Sequence, residues 1–217
     1  APGAPLIAET GGMNAMIVDS TALPEQSVQA IVESAFQSAG QRCSALRCLY
    51  VQEDIAESFT EMLTGAMDAL SVGAPWHLST DVGPVIDEEA RAGIAAHVQT
   101  ARAEGRLVHE IKTPNAGTFV GPALIRVSGI AALEREIFGP VLSVARAEDF
   151  DHAVDMVEGH EYANGVAIFT QDGDAARTFA NRVDVGMIGV NVPIPVPMAF
   201  HHFGGSKRSK FGDTMMH

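Results

Sequence analysis

The stretch NAMIVDSTALPEQSVQAIVESAFQSAGQRCSALRCLYVQ, residues 14–52, decides the fold. It opens on Asn14-Ala-Met-Ile-Val-Asp19, a short apolar run of the kind that forms a buried strand. Pro24 fits the first turn of a helix, with Thr21 as its predicted cap. Val28, Ile31, Val32, Ala35 and Phe36 then recur at helical spacing and make one apolar face. Gly40 is the predicted stop. Cys48-Leu-Tyr-Val-Gln52 reads as the next strand. Strand, helix and strand in this order are a βαβ unit, and its two strands should lie parallel.

Outward from this unit the alternation continues. Asp54 opens a second predicted helix bearing Ile55, Phe59, Met62, Leu63 and Leu70. Leu70–Pro84 is rich in Gly, Pro and Ser and reads as a loop, with Trp76 inside it. Asp87 to Arg106 is helical. Leu107–Ile111, Thr118–Arg126 and Val141–Ala145 read as strands, Asp149–Glu158 as a short helix and Gly165–Thr170 as a strand. Asp172–Asn181 is a helix opened by an Asp, and Met187–Val192 is the last strand. The predicted class is α/β, a mostly parallel twisted sheet with helices on both faces. Pro193, Pro195 and Pro197 forbid helix and predict an extended loop in the tail.

The chain has 217 residues, 14 Lys and Arg against 27 Asp and Glu, and a formal net charge of −13. That length fits one large domain or two small ones. With 47% apolar and 19% charged residues, the composition excludes a disordered chain. The acidic surface is a poor match for nucleic acid or an anionic membrane. No apolar run approaches the roughly 18 residues of a membrane span. Cys43 and Cys48 make no disulfide framework and point to a reducing, cytoplasmic setting. There is no signal-peptide pattern, and the chain opens Ala1-Pro2-Gly3-Ala4-Pro5 without Met, as a piece of something longer would. Neither GxGxxG nor GxxxxGK[ST] occurs, so no nucleotide phosphate would be held by the usual glycine-rich route.

Three segments carry candidate chemistry. Glu9-Thr10-Gly11-Gly12 sets a carboxylate beside two glycines; alone it reads first as a tight turn with a solvated Glu. Gly40-Gln41-Arg42-Cys43-Ser44 puts a thiol between a helix and a strand, next to a cation that favours the thiolate nucleophile. An isolated cysteine is more often a buried structural residue, and Cys48, inside an apolar strand, reads that way. Glu136-Ile137-Phe138-Gly139-Pro140 alone is a loop into a strand.

In this order the three segments resemble the catalytic half of the NAD(P)-dependent aldehyde dehydrogenase superfamily, as does Phe203-Gly-Gly-Ser-Lys-Arg-Ser. The resemblance covers essentially the whole chain. It implies Cys43 as nucleophile and Glu9 as general base. Glu136 and Phe138 would hold the nicotinamide ribose and ring, with Thr10 and Gly11 as backbone contacts to the cofactor. Phe203 would line the aldehyde pocket, and Asn191 would anchor the loop beside it. Arg42 would pair with a substrate carboxylate. The implied cofactor is NAD, and no metal is implied. The implied partners are a small aldehyde, a neighbouring copy in a homo-oligomer, and a dinucleotide-binding domain. In the family that domain precedes the general-base motif and supplies the phosphate contacts. Residues 1–217 are therefore expected to be a catalytic domain with the dinucleotide-binding domain absent, which alone would bind NAD weakly and turn over little aldehyde.

The subfamily signal is divided. Residues 5–144 resemble the glutamate-semialdehyde (1-pyrroline-5-carboxylate) dehydrogenase module of proline-utilisation proteins, through Leu6 to Ser20, Ser34 to Arg47 and Leu78 to Asp87. Residues 146–217 resemble the CoA-acylating methylmalonate-semialdehyde dehydrogenase, through His160 to Thr170 and Val190 to Met198. The implied reaction is oxidation of a carboxylate-bearing semialdehyde, with glutamate γ-semialdehyde favoured because nucleophile and base lie in the first half. A fragment keeping only the fold is the reading from another class. His201-His202 lacks metal-ligand spacing, and Lys207, Arg208 and Lys210 read as a solvated basic loop.

Overall fold

In the computed structural model, which describes residues 3–198, 200–201 and 204–212, a two-residue strand β1 (Ala8–Glu9) leads into the βαβ unit. The unit consists of β2 (Asn14–Val18), α1 (Pro24–Phe36) and β3 (Leu46–Gln52). There follow α2 (Ala56–Asp68), α3 (Glu88–Ala103), β4 (Leu107–Glu110), β5 (Ala123–Arg126) and β6 (Val141–Ala147). The remainder is α4 (Phe150–Glu158), β7 (Tyr162–Ala163), β8 (Gly165–Phe169), α5 (Gly173–Arg182), β9 (Met187–Val190), β10 (Ser206–Lys207) and β11 (Lys210–Phe211). Seven strands make one sheet in the order β4-β5-β6-β3-β2-β8-β9. All its pairings are parallel except β4 with β5.

Both faces of the sheet are covered, which is why its strands read as apolar runs. Side chains alternate between the faces with the strand period of two. Met16 and Val18 of β2 join a core with Ile31, Phe36, Leu63 and Ile94 from α1, α2 and α3. Ala15 and Ile17, one residue out of step, join a second core with Val154, Val157 and Phe179 from α4 and α5. Asp87, Asp149 and Asp172 cap α3, α4 and α5 by accepting backbone N–H bonds at 2.7–2.8 Å, each satisfying a donor the first turn leaves unpaired.

Several boundaries differ from the sequence reading. Leu23, not Thr21, precedes α1, and it makes no side-chain cap. The Thr21 hydroxyl instead donates to Asp19 Oδ1 at 2.6 Å and lies 3.1 Å from Thr170 Oγ1. Helix α1 ends at Phe36, and a tight turn over Gln37–Gly40 follows, with Ser38 and Ala39 at φ 55° and 54°. Helix α2 starts at Ala56 and stops at Asp68, so Leu70 lies outside it. Strand β5 is shorter than Thr118–Arg126 because Pro122, just before it, has no N–H for a ladder. Strand β9 ends at Val190, where Asn191 turns to φ 54°. The tail is not wholly loop: β10 pairs with β7 and β11 with β1, both antiparallel. Among the described residues no helix is long and apolar enough to cross a membrane.

Candidate active site

The candidate residues gather at the amino-terminal edge of the parallel strands. Glu9–Gly12 precedes β2, Cys43 precedes β3, Glu136–Pro140 precedes β6, and Asn164 precedes β8. The thiols of the two cysteines have opposite surroundings. Cys43 is exposed, whereas Cys48 is fully buried. Burial pushes the Cys48 thiol up to about 12, so it is not a nucleophile at neutral pH.

The turn carrying Cys43 is held from two sides. On one side, Asn14 Nδ2 donates to the Cys43 carbonyl at 2.7 Å and to that of Ala45 at 2.8 Å. Asn164 Nδ2 donates to the same Cys43 carbonyl at 3.0 Å, and Gly165 N–H donates to Asn14 Oδ1 at 3.0 Å. Gly12 packs here: a Cβ on it would stand 3.0 Å from the Cys43 carbonyl oxygen. On the other side lies Arg47, the second residue of β3 and only 3% exposed. Its Nη1 donates to the Gly40 carbonyl at 2.7 Å and its Nη2 to the Arg42 carbonyl at 3.2 Å.

Arg47 also reaches the Glu136 segment. Its Nε and Nη2 donate to Glu136 Oε1 at 3.2 and 3.1 Å, and its Nη1 to the Gly139 carbonyl at 3.3 Å. Its guanidinium carbon sits 5.2 Å from the centre of the Phe138 ring, a cation–π distance. Burial makes this cation easier to deprotonate, and the Glu136 charge opposes that effect. Gln41 adds a second link: its Nε2 donates to the Phe138 carbonyl at 3.2 Å, and its Oε1 accepts from Ile86 N–H at 2.9 Å. Gly40 lets the two loops close. It sits at φ 65°, and a Cβ on it would lie 2.2 Å from the Gly139 carbonyl oxygen. The turn carrying Cys43 and the Glu136 carboxylate thus share one guanidinium clamp, although Cys43 and Glu136 lie 93 positions apart in the sequence.

Glu9 is held by the tail. Its Oε2 accepts from Gly205 N–H at 3.3 Å, and Glu9 faces Lys210 in the register of β1 and β11. No hydrogen bond joins it to the thiol among the described residues. Thr10 spends its N–H on the Ser209 carbonyl at 3.1 Å and its hydroxyl on that of Arg208 at 2.7 Å, which leaves its carbonyl for other contacts. Gly11 lies against the Tyr162 ring. Arg42 and the proline-alternating loop, Val192 to Val196, line one cleft of about 420 Å3 together with Glu33. Arg42 Nη2 donates to the Glu33 carbonyl at 3.2 Å, and its buried Nε–H has no acceptor. Asn191 anchors that loop from the far, carboxyl end of the strands. Its side-chain amide pairs with both backbone groups of Thr170 at 2.9 Å. Phe203, His202 and the segment 213–217 lie outside the described residues.

Sequence reasoning missed Asn14, Asn164 and Arg47 as site residues. The basic loop also differs from the solvated one expected. Lys207 Nζ donates to the Glu158 carbonyl at 2.6 Å and to its carboxylate at 3.0 Å, placing a cation at the carboxyl end of α4. Arg208 pairs with Glu161. Replacing Asn164 by Ala is expected to cost about 1 kcal/mol in urea unfolding, the net worth of one such bond while Asn14 still holds the carbonyl.

The aldehyde dehydrogenase family pattern covers residues 1–217. The chain belongs to the aldehyde dehydrogenase family. It is 47% identical over 197 residues to the bifunctional protein PutA of Salmonella typhimurium, matching 86% of this chain and 15% of that protein. It is 37% identical over 212 residues to malonate-semialdehyde dehydrogenase of Pseudomonas aeruginosa, matching 94% of this chain and 43% of that protein. A crystal structure of a methylmalonate-semialdehyde dehydrogenase homologue from Sinorhizobium meliloti 1021, complexed with NAD, superposes with a TM-score of 0.91 at 38% identity. That match covers 97% of this chain and 45% of the other. The chain thus spans less than half the length of each relative.

Proposed function

We propose that residues 1–217 are the thiol-bearing catalytic domain of an NAD-dependent semialdehyde dehydrogenase. The observation that carries this reading is the shared Arg47 clamp, which holds the turn of an exposed thiol beside Glu136. A thiolate at Cys43 would attack the aldehyde carbon to give a tetrahedral oxyanion. The Cys43 N–H has no partner among the described residues and would donate to that oxyanion, a contact worth about 3 kcal/mol of barrier. Collapse to the thioester releases a hydride, for which NAD, when bound, supplies the acceptor. Glu9 would then activate the water that hydrolyses the thioester.

The residues present fit a nicotinamide ribose. Both Arg47 bonds go to Oε1 of Glu136, so Oε2 keeps its capacity to accept a sugar hydroxyl. Phe138 is 44% exposed beside it. Thr10 and Gly11 would add backbone contacts, with the Thr10 carbonyl as acceptor. The adenosine and phosphate half would be held by a separate dinucleotide-binding domain, and homo-oligomerisation belongs to the same reading. Two free cysteines suit a reducing cytoplasm.

The proposed substrate carries a carboxylate. Arg42 lines a cleft with the proline-alternating loop, and its guanidinium would pair with a carboxylate there. Phe203 would line the aldehyde side, and Asn191 would fix the proline loop. Glutamate γ-semialdehyde is favoured because the PutA match is the more identical one. The second reading is a CoA-acylating malonate- or methylmalonate-semialdehyde dehydrogenase, favoured by the similarity of this chain to the Pseudomonas and Sinorhizobium proteins.

The test is a substrate screen on a full-length protein carrying this domain. Glutamate formed from glutamate γ-semialdehyde with NAD reduction, independent of CoA, is the expected result. A CoA thioester formed only from the shorter semialdehydes would replace it with the second reading.

A further inference from the structure

Away from the thiol, a cleft of about 770 Å3 lies between α3, the start of β4 and the segment that follows β5. Its wall carries Arg106, Arg126, Arg135 and His97, together with Glu104 and Glu134. The topology forces two of these arginines together. β4 and β5 are antiparallel, with Leu107 opposite Ile125. Just beyond that pair the Arg126 N–H donates to the Arg106 carbonyl at 2.8 Å, so two cations face each other across the strands. Like charges directly opposite on a sheet are destabilising. Only Arg106 is neutralised, by Glu104. Among the described residues Arg126 and Arg135 make no ion pair and no side-chain hydrogen bond. His97 is easier to deprotonate first because it is half-buried, then because Arg106 and Arg135 stand near it. A chain of net charge −13 thus leaves two guanidinium groups unpaired in this cleft.

We propose that this cleft binds a small multivalent oxyanion, a phosphate ester or a polycarboxylate, bridged by Arg126 and Arg135. Two planar donors from separate segments suit an anion with more than one charged oxygen, and Ser128 on the same wall adds a hydroxyl. Neither the thiol nor Glu136 contributes to this site, so the inference stands apart from the proposed dehydrogenase chemistry.

Calorimetry of the 217-residue chain with inorganic pyrophosphate, at constant ionic strength, tests it. Saturable binding in the millimolar range or tighter is expected. Arg126→Gln and Arg135→Gln should each weaken it by about tenfold, the scale of one lost charge-assisted contact. Arg177→Gln, on the exposed face of α5, should not. Arg126→Lys, which keeps the charge but loses the planar fork, should bind between wild type and Arg126→Gln and shows that the fold tolerates change at this position. The His97 ring proton resonances should move with saturation. Citrate that competes with pyrophosphate identifies a general oxyanion site, and pyrophosphate binding without competition identifies a phosphate site. No saturable binding, or binding unchanged in the Arg126→Gln/Arg135→Gln double variant, overturns the proposal.

Discussion

Hydrolysis of p-nitrophenyl acetate is expected to fall to the rate of buffer alone when Cys43 is replaced by Ala, and to be nearly unchanged when Cys48 is. Ester hydrolysis needs a nucleophile and a means of activating water, but no hydride acceptor. It therefore reads the thiol chemistry without the cofactor. The two cysteines differ in the property that decides nucleophilicity. Cys43 is exposed on a turn, while Cys48 is fully buried and its thiol pushed up to about 12. Removing a nucleophile removes the covalent route entirely, so the loss should be at least of the order of 10³-fold. Glu9→Gln should behave differently. The first acylation of Cys43 should persist as a burst, while steady turnover slows by about 10²- to 10⁴-fold, the usual worth of a general base. Equal, slow hydrolysis by wild type and Cys43→Ala would sink the enzyme reading of this chain and leave the inert fragment in its place.

The elements of the sheet were legible because both faces are covered. Residues 14–19, 48–52 and 165–170 are near-continuous apolar runs, and Asp149 and Asp172 announce their helices as caps. The boundaries failed where one residue's backbone overrules the pattern. Pro122 shortens β5, Asn191 ends β9 by turning to positive φ, and Ser38 and Ala39 end α1 before Gly40. The site was half legible. Cys43, Glu9 and Glu136 could be read because their neighbours form short local motifs. The residues that assemble them could not, because their partners are remote: Asn164 reaches the Cys43 carbonyl over 121 residues and Arg47 reaches Glu136 over 89. A weak signal existed for Arg47, a lone charge at the head of the apolar run Ala45–Val51. A buried cation there requires nearby acceptors, though not any particular ones. Lys207 failed for the same reason, since its acceptors lie at the end of α4.

Arg47→Met should destabilise the chain by about 3–5 kcal/mol, measured as a lowered urea midpoint at unchanged slope. Methionine fills similar space, so the loss isolates the polar contacts. The substitution strands the Glu136 carboxylate and the carbonyls of Gly40, Arg42 and Gly139. Removing one partner of a buried pair costs the desolvation of the other. Glu136 retains 23% side-chain exposure, so water repays part of that cost, and the lower end of the range is expected. Against a total stability of about 5–15 kcal/mol for a domain, even that end is a large fraction. Glu136→Gln should cost less, about 1–2 kcal/mol, because the amide oxygen still accepts from Arg47 and three carbonyls remain on the guanidinium. This asymmetry separates a clamp from a simple ion pair, in which the two substitutions would weigh alike. The ester assay adds an independent reading. Freed from Arg47, the Arg42 and Gly40 carbonyls no longer fix the turn, and a displacement of about 1 Å at the sulfur can cost 10²-fold in rate. A midpoint no lower than that of Arg177→Met, an exposed control expected to stay within about 0.5 kcal/mol, would mean that the turn holds its shape without the guanidinium. In that case Gly40 and the two asparagines, not Arg47, would be what brings the thiol and Glu136 together.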